Sequence, residues 1–506
     1  MEPRPTRRGF IGLAAGAGAA ALGTAGYLRL GSTDPAVVPS TVSEAGDSAS
    51  VTAAVTRAAL PPPGIDPTDC TMLLGRGTDV SVALSLRSDT ARNVVVHVAD
   101  DTAGTLLEVG PRALTAGAAQ TIEIEGLRPD RAYRYAVAFD GTVGAHHGFH
   151  TQRAPGSPFT FTVEADPHFG DPRFDGPLFR RALENARADR PDFHIDLGDL
   201  FMTEKSRPTS KAAAGPTFTG LRPYLQTVAA EAPLHLVNGN HEGELGWFLT
   251  SGNDRELPIW STELRRSEYA VPAPGGFFSG ASAVDPVLGT PRDSWYSFVW
   301  GDARIIVLDP FWYTRTKPKS TDVDGNWGWT LGAEQYEWLR RTLQANRSPY
   351  TFVMIHHLVG GGPDGRGGTE VAGRFEWGGR NADGSPGFAS RRQGWELPVH
   401  DLLVRGGVSA VFHGHDHVYV AQQLDGIVYQ LLPQPSNTSE DTAKLAAEYG
   451  YGPGRVVNGS GHLRVEVTPT KATVSFVRAL LPSAERADRR NGDVVDRYEI
   501  APARRG

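Results

Sequence analysis

The sequence predicts a two-part α/β protein: a small all-β sandwich followed by a four-layer α/β/β/α sandwich. Three observations carry this reading. Residues 65–152 place apolar side chains at every second position, as in 80–86 and 133–139. From residue 158 onward, strand-like and helix-like segments alternate and end in strands, the pattern of sheets flanked by helices. Five short polar motifs each follow an apolar run, where a buried strand delivers its carboxyl end.

The β part spans 65–152. After it the predicted elements are a strand over 159–164, a helix over 177–190, a strand over 193–197, a helix over 221–230 and a strand over 234–237. A hairpin over 296–308 turns at Gly301-Asp302. A helix over 333–346, a strand over 351–355, a helix over 397–405 and a strand over 409–412 follow. Strands over 427–432 and 462–476 and a final hairpin complete the α/β domain, 158–502. Three connections, 203–220, 243–294 and 360–395, read as long loops shaping a mouth. The second holds Trp247, Trp260, Phe277 and Phe278, and the third Arg366, Arg374, Arg391, Arg392, Trp377 and Trp395.

Composition narrows the class. With 40% hydrophobic and 21% charged residues over 506 positions, the chain is neither disordered nor fibrous. A single cysteine, Cys70, allows no internal disulfide, so stability must come from core size. The amino terminus carries Arg7-Arg8 ahead of an uncharged, Ala- and Gly-rich stretch over 10–28. This resembles a twin-arginine (Tat) export signal over 1–31, which implies an encounter with the Tat machinery and an extracellular, periplasmic or cell-surface location. Residues 32–64, rich in Ala, Ser, Thr and Pro, read as a tether. Without residues 1–31 the chain has 46 basic and 56 acidic residues, a net charge of −10, which argues against a nucleic-acid-binding surface. The mature chain is expected to carry no membrane span unless the signal stays uncleaved.

The five motifs are Asp166-Pro167-His168, Gly198-Asp199, Gly239-Asn240-His241-Glu242, His356-His357 and Gly414-His415-Asp416-His417. Carboxylates, imidazoles and one amide at successive strand ends suit a pair of Fe, Zn or Mn ions. In this order they resemble the signature of the calcineurin-like metallophosphoesterases, of the purple acid phosphatase-like kind. The resemblance implies that Asp166, His168 and His417 hold one metal, that Asp199 bridges, and that Asn240, His356 and His415 complete the second. It also implies attack by a metal-bound hydroxide, with His241 protonating the leaving oxygen and Asn240 beside it. Glu242 is expected to orient His241. His357 is expected either to contact substrate or to play a structural role, Arg366 to contact substrate, and His413 to pack or to make a supporting hydrogen bond behind the ligands.

Two departures refine the resemblance. Met202 stands where purple acid phosphatases carry the iron-binding tyrosine, and His168 stands where their first motif has glycine, so the ligand set is of the histidine type and the enzyme is expected to be colourless. The alkaline phosphatase D type also joins export to a β domain, but the Gly-Asn-His-Glu motif and full histidine set suit it less well. Residues 127–133 resemble the tyrosine corner of a fibronectin type III sandwich, and such a domain precedes the catalytic domain in purple acid phosphatases. The expected activity is hydrolysis of phosphate monoesters as small substrates. Hydrolysis of nucleotide, lipid or cell-wall phosphodiesters is the alternative, and a non-catalytic binding protein the third reading.

Overall fold

In a computed structural model, residues 55–56, 59–100, 102–205, 210–250, 252–319 and 324–503 are described. The expected export segment, 1–31, and most of the tether, 32–64, lie outside the described residues.

The predicted alternation appears as two large sheets. The first has nine strands in the order Val494–Ile500, Ala472–Ala479, Ser460–Val467, Phe159–Glu164, Phe193–Asp196, Leu234–Leu236, Cys70–Gly75, Ser81–Ser88 and Ala119–Glu125. The second has eight: Ser279–Gly280, Tyr296–Trp300, Ala303–Val307, Tyr350–Met354, Ala410–His413, Ile427–Leu431, Tyr419–Leu424 and Arg455–Val457. Their facing sides share one apolar core. Phe161, Val163, Phe193 and Ile195 of the first sheet meet Phe298, Trp300, Phe352, Met354 and Phe412 of the second. In the central strands every second residue enters this core, as with Phe159, Phe161 and Val163, which the period of two requires.

Helices cover the outer faces. Helix Gly176–Ala188, capped by Asp175 through Leu178 N–H, and helix Lys211–Ala229 bury Phe179, Leu183, Leu221 and Leu225 against Leu234 and Leu236. On the second sheet, helices Gly332–Ala345 and Val399–Arg405 bury Leu339, Leu402 and Leu403 against Ile306, Val353 and Val411. The result is the expected α/β/β/α sandwich.

All three expected loops contain helices, of which those in 360–395, Phe375–Gly378 and Phe388–Arg391, are single turns. Lys211–Ala229 begins ten residues earlier than expected and runs through Pro216 and Pro223. Ser210 caps it by accepting from Ala213 N–H, and its buried face outweighs the penalty of two interior prolines. Leu257–Glu268 lies inside 243–294. Its Arg265 pairs with buried Glu244 and Asp293, so partners distant in sequence fix it.

The amino-terminal β part is a sandwich of two sheets around a core of Met72, Leu84, Val96, Ile124, Tyr135 and Val137. One of its sheets, Cys70–Gly75 with Ser81–Ser88 and Ala119–Glu125, continues the nine-stranded sheet through a parallel pairing of Gly75 with Leu234. Buried Arg222 fastens the junction: Nε donates to Thr71 Oγ1 at 2.9 Å and Nη2 to Ser85 O at 3.1 Å. Among the described residues, no helix is long and apolar enough to cross a membrane.

Candidate metal centre

The five motifs converge where parallel strands of both sheets end. Asp166 follows Phe159–Glu164, Asp199 follows Phe193–Asp196 and Asn240 follows Leu234–Leu236. From the second sheet, His356 follows Tyr350–Met354, and His415 and His417 follow Ala410–His413. The loops are stitched together by backbone bonds: Asp166 N–H to Gly198 O, His168 N–H to Asp199 O and Gly414 N–H to His356 O, each at 2.9 Å. His415 N–H donates to Asp166 Oδ2 at 2.8 Å and so joins the two sheets at the site. Only glycine fits at 414, because a Cβ there would lie 2.5 Å from Asp166 Oδ2.

The backbone at the site is strained. Asp166, His168, Asp199, His415 and His417 have φ of 62°, 56°, 56°, 76° and 61°. Left-handed backbone costs a non-glycine residue about 1–2 kcal/mol. It persists here because neighbouring strands and the bonds above over-determine it, and such strain gathers at functional sites.

Two donor sets result. Ligand atoms of Asp166, His168 and His417 all lie within 4.8 Å of one another, and so do those of Asp199, His356 and His415. Asn240 Oδ1 is 3.2 Å from His356 Nε2 and belongs with the second set. Asp199 Oδ2 lies between them, 3.5 Å from His168 Nε2 and 3.2 Å from His356 Nε2. Its other oxygen is tied to His241 N–H at 2.8 Å.

The sets fit metal ions. Asp166 Oδ1 and His168 Nε2 are buried and lack a hydrogen-bond partner, an arrangement that is costly unless something else binds there. His356 uses Nδ1 toward Leu197 O at 2.9 Å and His415 uses Nε2 toward Asp364 O at 2.9 Å, which leaves the opposite nitrogen of each ring for a ligand role. Electrostatics agree. Burial opposes charge on Asp166 and Asp199, yet the surrounding histidines outweigh it and hold both carboxyls below the usual range. Burial keeps His168 and His415 neutral. Against burial, the charge of Asp199 raises His356 to about 10, so a cation binding there would displace a proton.

The other expected residues fall as follows. His241 is at the edge of the site, with Nε2 3.8 Å from Asp199 Oδ2. Glu242 does not orient it. Its buried carboxylate instead accepts from the backbone N–H of Asp199 (3.0 Å), Leu200 (2.7 Å), Phe201 (3.3 Å) and Gly239, and so shapes the loop that carries Asp199. The partner of His241 is Glu204, whose carboxylate hydrogen-bonds Nδ1. Sequence reasoning missed Glu204 because it sits in a short 3-10 turn, Thr203–Lys205, whose aim depends on the loop after Asp199. Of the two roles expected for His357, substrate contact or structural support, the second holds, because it is only 2% exposed. Its ring packs against Phe311 and Trp329, with centroids 5.0 and 4.7 Å away, and braces His356 and His415 from behind. His413 is buried, as expected of a packing residue. Arg366 reaches the rim, where Nη1 donates to Asp416 Oδ1 at 2.7 Å and to His415 O at 3.2 Å, with its guanidinium 4.3 Å over the Tyr449 ring. Arg392, from the same Gly-rich connection, is instead held by Glu376 and by the carbonyls of Trp327 and Trp329.

Comparison with known proteins agrees with this geometry. No curated protein sequence matches the chain. Its fold is similar to a solved structure of PhoD, with a TM-score of 0.58 and 15% identity over 88% of this chain and 94% of that one. It is similar to nearly the same degree to the purple acid phosphatase PPD1 from yellow lupin (Lupinus luteus) seeds, with a TM-score of 0.55 and 14% identity over 85% of this chain and 74% of that one. At the level of fold, the purple acid phosphatase and PhoD likenesses therefore stand level. The family model for calcineurin-like phosphoesterases matches residues 159–419, more than half of the chain and the span that holds all five motifs. The chain belongs to the calcineurin-like phosphoesterase family.

Proposed function

We propose that this metallophosphoesterase hydrolyses phosphate monoesters at two metal ions, with His241 protonating the leaving oxygen. The observation that carries the reading is Asp199 Oδ2, turned toward both donor sets with His241 beside it. Asp166, His168, Asp199 and His417 would hold one ion, and Asp199, Asn240, His356 and His415 the other. Such a pair supplies Lewis acidity, which neutralises phosphoryl charge and acidifies bound water. Asn240 adds a neutral oxygen. Glu204 holds Nδ1 of His241 and leaves Nε2 facing the centre. Arg366, anchored by Asp416, presents its guanidinium at the rim as a clamp for a phosphoryl oxygen.

Two further readings belong with this one. We infer that the chain is exported, on the strength of Arg7-Arg8 before an apolar stretch. Replacing both arginines by lysine should leave the enzyme inside the producing cell, and undiminished export would remove the idea. The β part reads as a fibronectin III-like sandwich. Its second sheet runs Thr105–Leu114, Arg92–Asp100, Ala132–Phe139 and His147–His150, and Tyr133 OH accepts from Arg128 N–H at 2.8 Å, as in a tyrosine corner.

The deciding experiment for the activity is hydrolysis of an aryl phosphate monoester and the matching diester, side by side, by protein refilled in turn with Fe, Zn and Mn. Faster monoester turnover that disappears in Asn240→Ala supports the proposal. Faster diester turnover overturns it in favour of a phosphodiesterase.

A further inference from the structure

Resting on that phosphoesterase reading, we propose that Tyr451 is a positioning residue: through Asp416 it fixes the Arg366 guanidinium at the rim, and the two together make the site prefer a dianionic phosphate monoester over a diester.

Arg366 is held at three points. Nη1 donates to Asp416 Oδ1 at 2.7 Å and to His415 O at 3.2 Å, and the guanidinium carbon lies 4.3 Å from the centre of the Tyr449 ring. Nε and Nη2 make no hydrogen bond among the described residues, and 28% of the side chain is exposed. These donors remain for a ligand, in the fixed fork that a guanidinium offers to phosphate. The connection that carries Arg366 also grips a donor of the second set. Asp364 O, two residues earlier, bonds the His415 ring at Nε2 at 2.9 Å. Arg366 is thereby tied to both the ring and the backbone of His415.

Asp416 is where the restraints meet. It stands between His415 and His417 and is only 2% exposed. One carboxylate oxygen takes Arg366. The other accepts from Tyr451 O–H at 2.7 Å and from Gly367 N–H at 2.9 Å. The Tyr451 hydroxyl therefore sets the rotation of the carboxylate, and the carboxylate sets the guanidinium.

Tyr451 is itself anchored. Its N–H donates to Ala446 O at 2.8 Å, at the end of helix Ala443–Glu448. Gly450, with φ of 76°, makes the turn between Tyr449 and Tyr451. Gly452 N–H donates to Glu370 Oε1 at 2.6 Å, and Glu370 is bonded to Gln422, which accepts from Thr369 N–H at 3.1 Å. Two segments far apart in sequence are thus locked together around Arg366, and a ligand finds it already ordered.

The preference follows from charge and oxygen count. A phosphate monoester carries about two negative charges near neutral pH and three unesterified oxygens. A guanidinium beside a centre built for two cations is a third positive partner, and the third free oxygen of a monoester can meet it. In a diester that oxygen is bonded to carbon, and one charge is missing.

The test uses the metal-loaded full chain with Tyr451→Phe, Arg366→Gln and the double variant. Tyr451→Phe removes one hydroxyl, and Asp416 Oδ2 keeps its bond from Gly367. It should lower kcat/KM for an aryl phosphate monoester about tenfold, weaken the binding of inorganic phosphate, read by calorimetry, to a similar extent, and affect the matching diester much less. Metal content should stay the same. In the Arg366→Gln background the same substitution should add no further loss, because the two residues act as one unit. Equal losses for monoester and diester, additive losses in the double variant, or metal lost from Tyr451→Phe would each overturn the positioning role and leave the phosphoesterase reading intact. A parent chain that prefers the diester, or turns over neither ester with any metal, overturns the monoester reading and this one with it.

Discussion

Glu204 and His241 form a hydrogen-bonded carboxylate–imidazole pair, and it decides which nitrogen of His241 faces Asp199. With Nδ1 engaged by Glu204, Nε2 is left toward the centre at 3.8 Å from Asp199 Oδ2. Burial opposes charge on His241, but Asp199 and Glu204 outweigh it and lift its pKa above the ordinary value. A group whose protonated form is favoured in this way is suited to donate a proton.

If His241 is that donor, His241→Ala should lower kcat for alkyl phosphates about 10²–10⁴-fold. Glu204→Gln should cost less, about 10–100-fold. Both losses should shrink for 4-nitrophenyl phosphate, whose leaving group needs no proton. A loss that is uniform across leaving groups, read from kcat against leaving-group pKa, would count against a proton-donor role.

The ligand chemistry predicts the colour. Met202 is 4% exposed and occupies the place of the tyrosine, while His168 Nε2 points into the first donor set. Protein refilled with iron should bind about two ions per chain and show no visible tyrosinate charge-transfer band. Asp199→Asn should lower occupancy of both ions together. A strong visible band, or loss of one ion only, would contradict the assignment.

The β sandwich and the α/β domain should unfold as one unit. Arg222 is fully buried, and its guanidinium satisfies Thr71 and Ser85 across the junction. Arg222→Met would strand those acceptors and should destabilise the chain by about 3 kcal/mol or more. The observable is the denaturant midpoint followed by two probes, one in each part. Separate transitions in the unmodified chain would show that the sheet junction carries no cooperativity.

Acid should weaken the core through His235. Its imidazole is fully buried and stacks on Phe298 with centroids 4.6 Å apart. Burial first, and then the neighbouring His194, depress its pKa from 6.5 to about 3. The folded state therefore resists protonation that the unfolded state accepts below pH 6.5. The stability due to the neutral ring is fully present above pH 6.5 and is lost as pH falls toward 3, on the order of 4 kcal/mol over the window. His235→Phe should remove this part of the pH dependence. A variant whose stability follows the same acid curve as the parent would refute the assignment to His235.

The site was legible to different depths. Asp166, His168, Asp199, Asn240, His356, His415 and His417 were readable because each follows a short apolar strand, and strand ends of parallel sheets converge. The division into two donor sets was readable through the family resemblance, and the structure brings together the same groups. Glu204 was not readable, since its link to His241 crosses 37 residues of chain. Glu242 misled for the opposite reason. Adjacency in sequence suggested a partner for His241, but consecutive side chains point apart and Glu242 turns to the backbone of 199–201.

By itself the sequence determined the fold class, most of the elements and the residues that gather at the strand ends. Those follow from local periodicity and from polar groups placed after buried runs, which are properties of short stretches of chain. Only the tertiary structure decided that His357 is enclosed, that Arg366 is clamped by Asp416 and that the β sandwich shares a sheet with the α/β domain. It alone set Tyr451 against Asp416. Each of these depends on burial or pairing between segments far apart in sequence. A side chain's exposure and partners are set by what packs over it, and that is not written in its own neighbourhood.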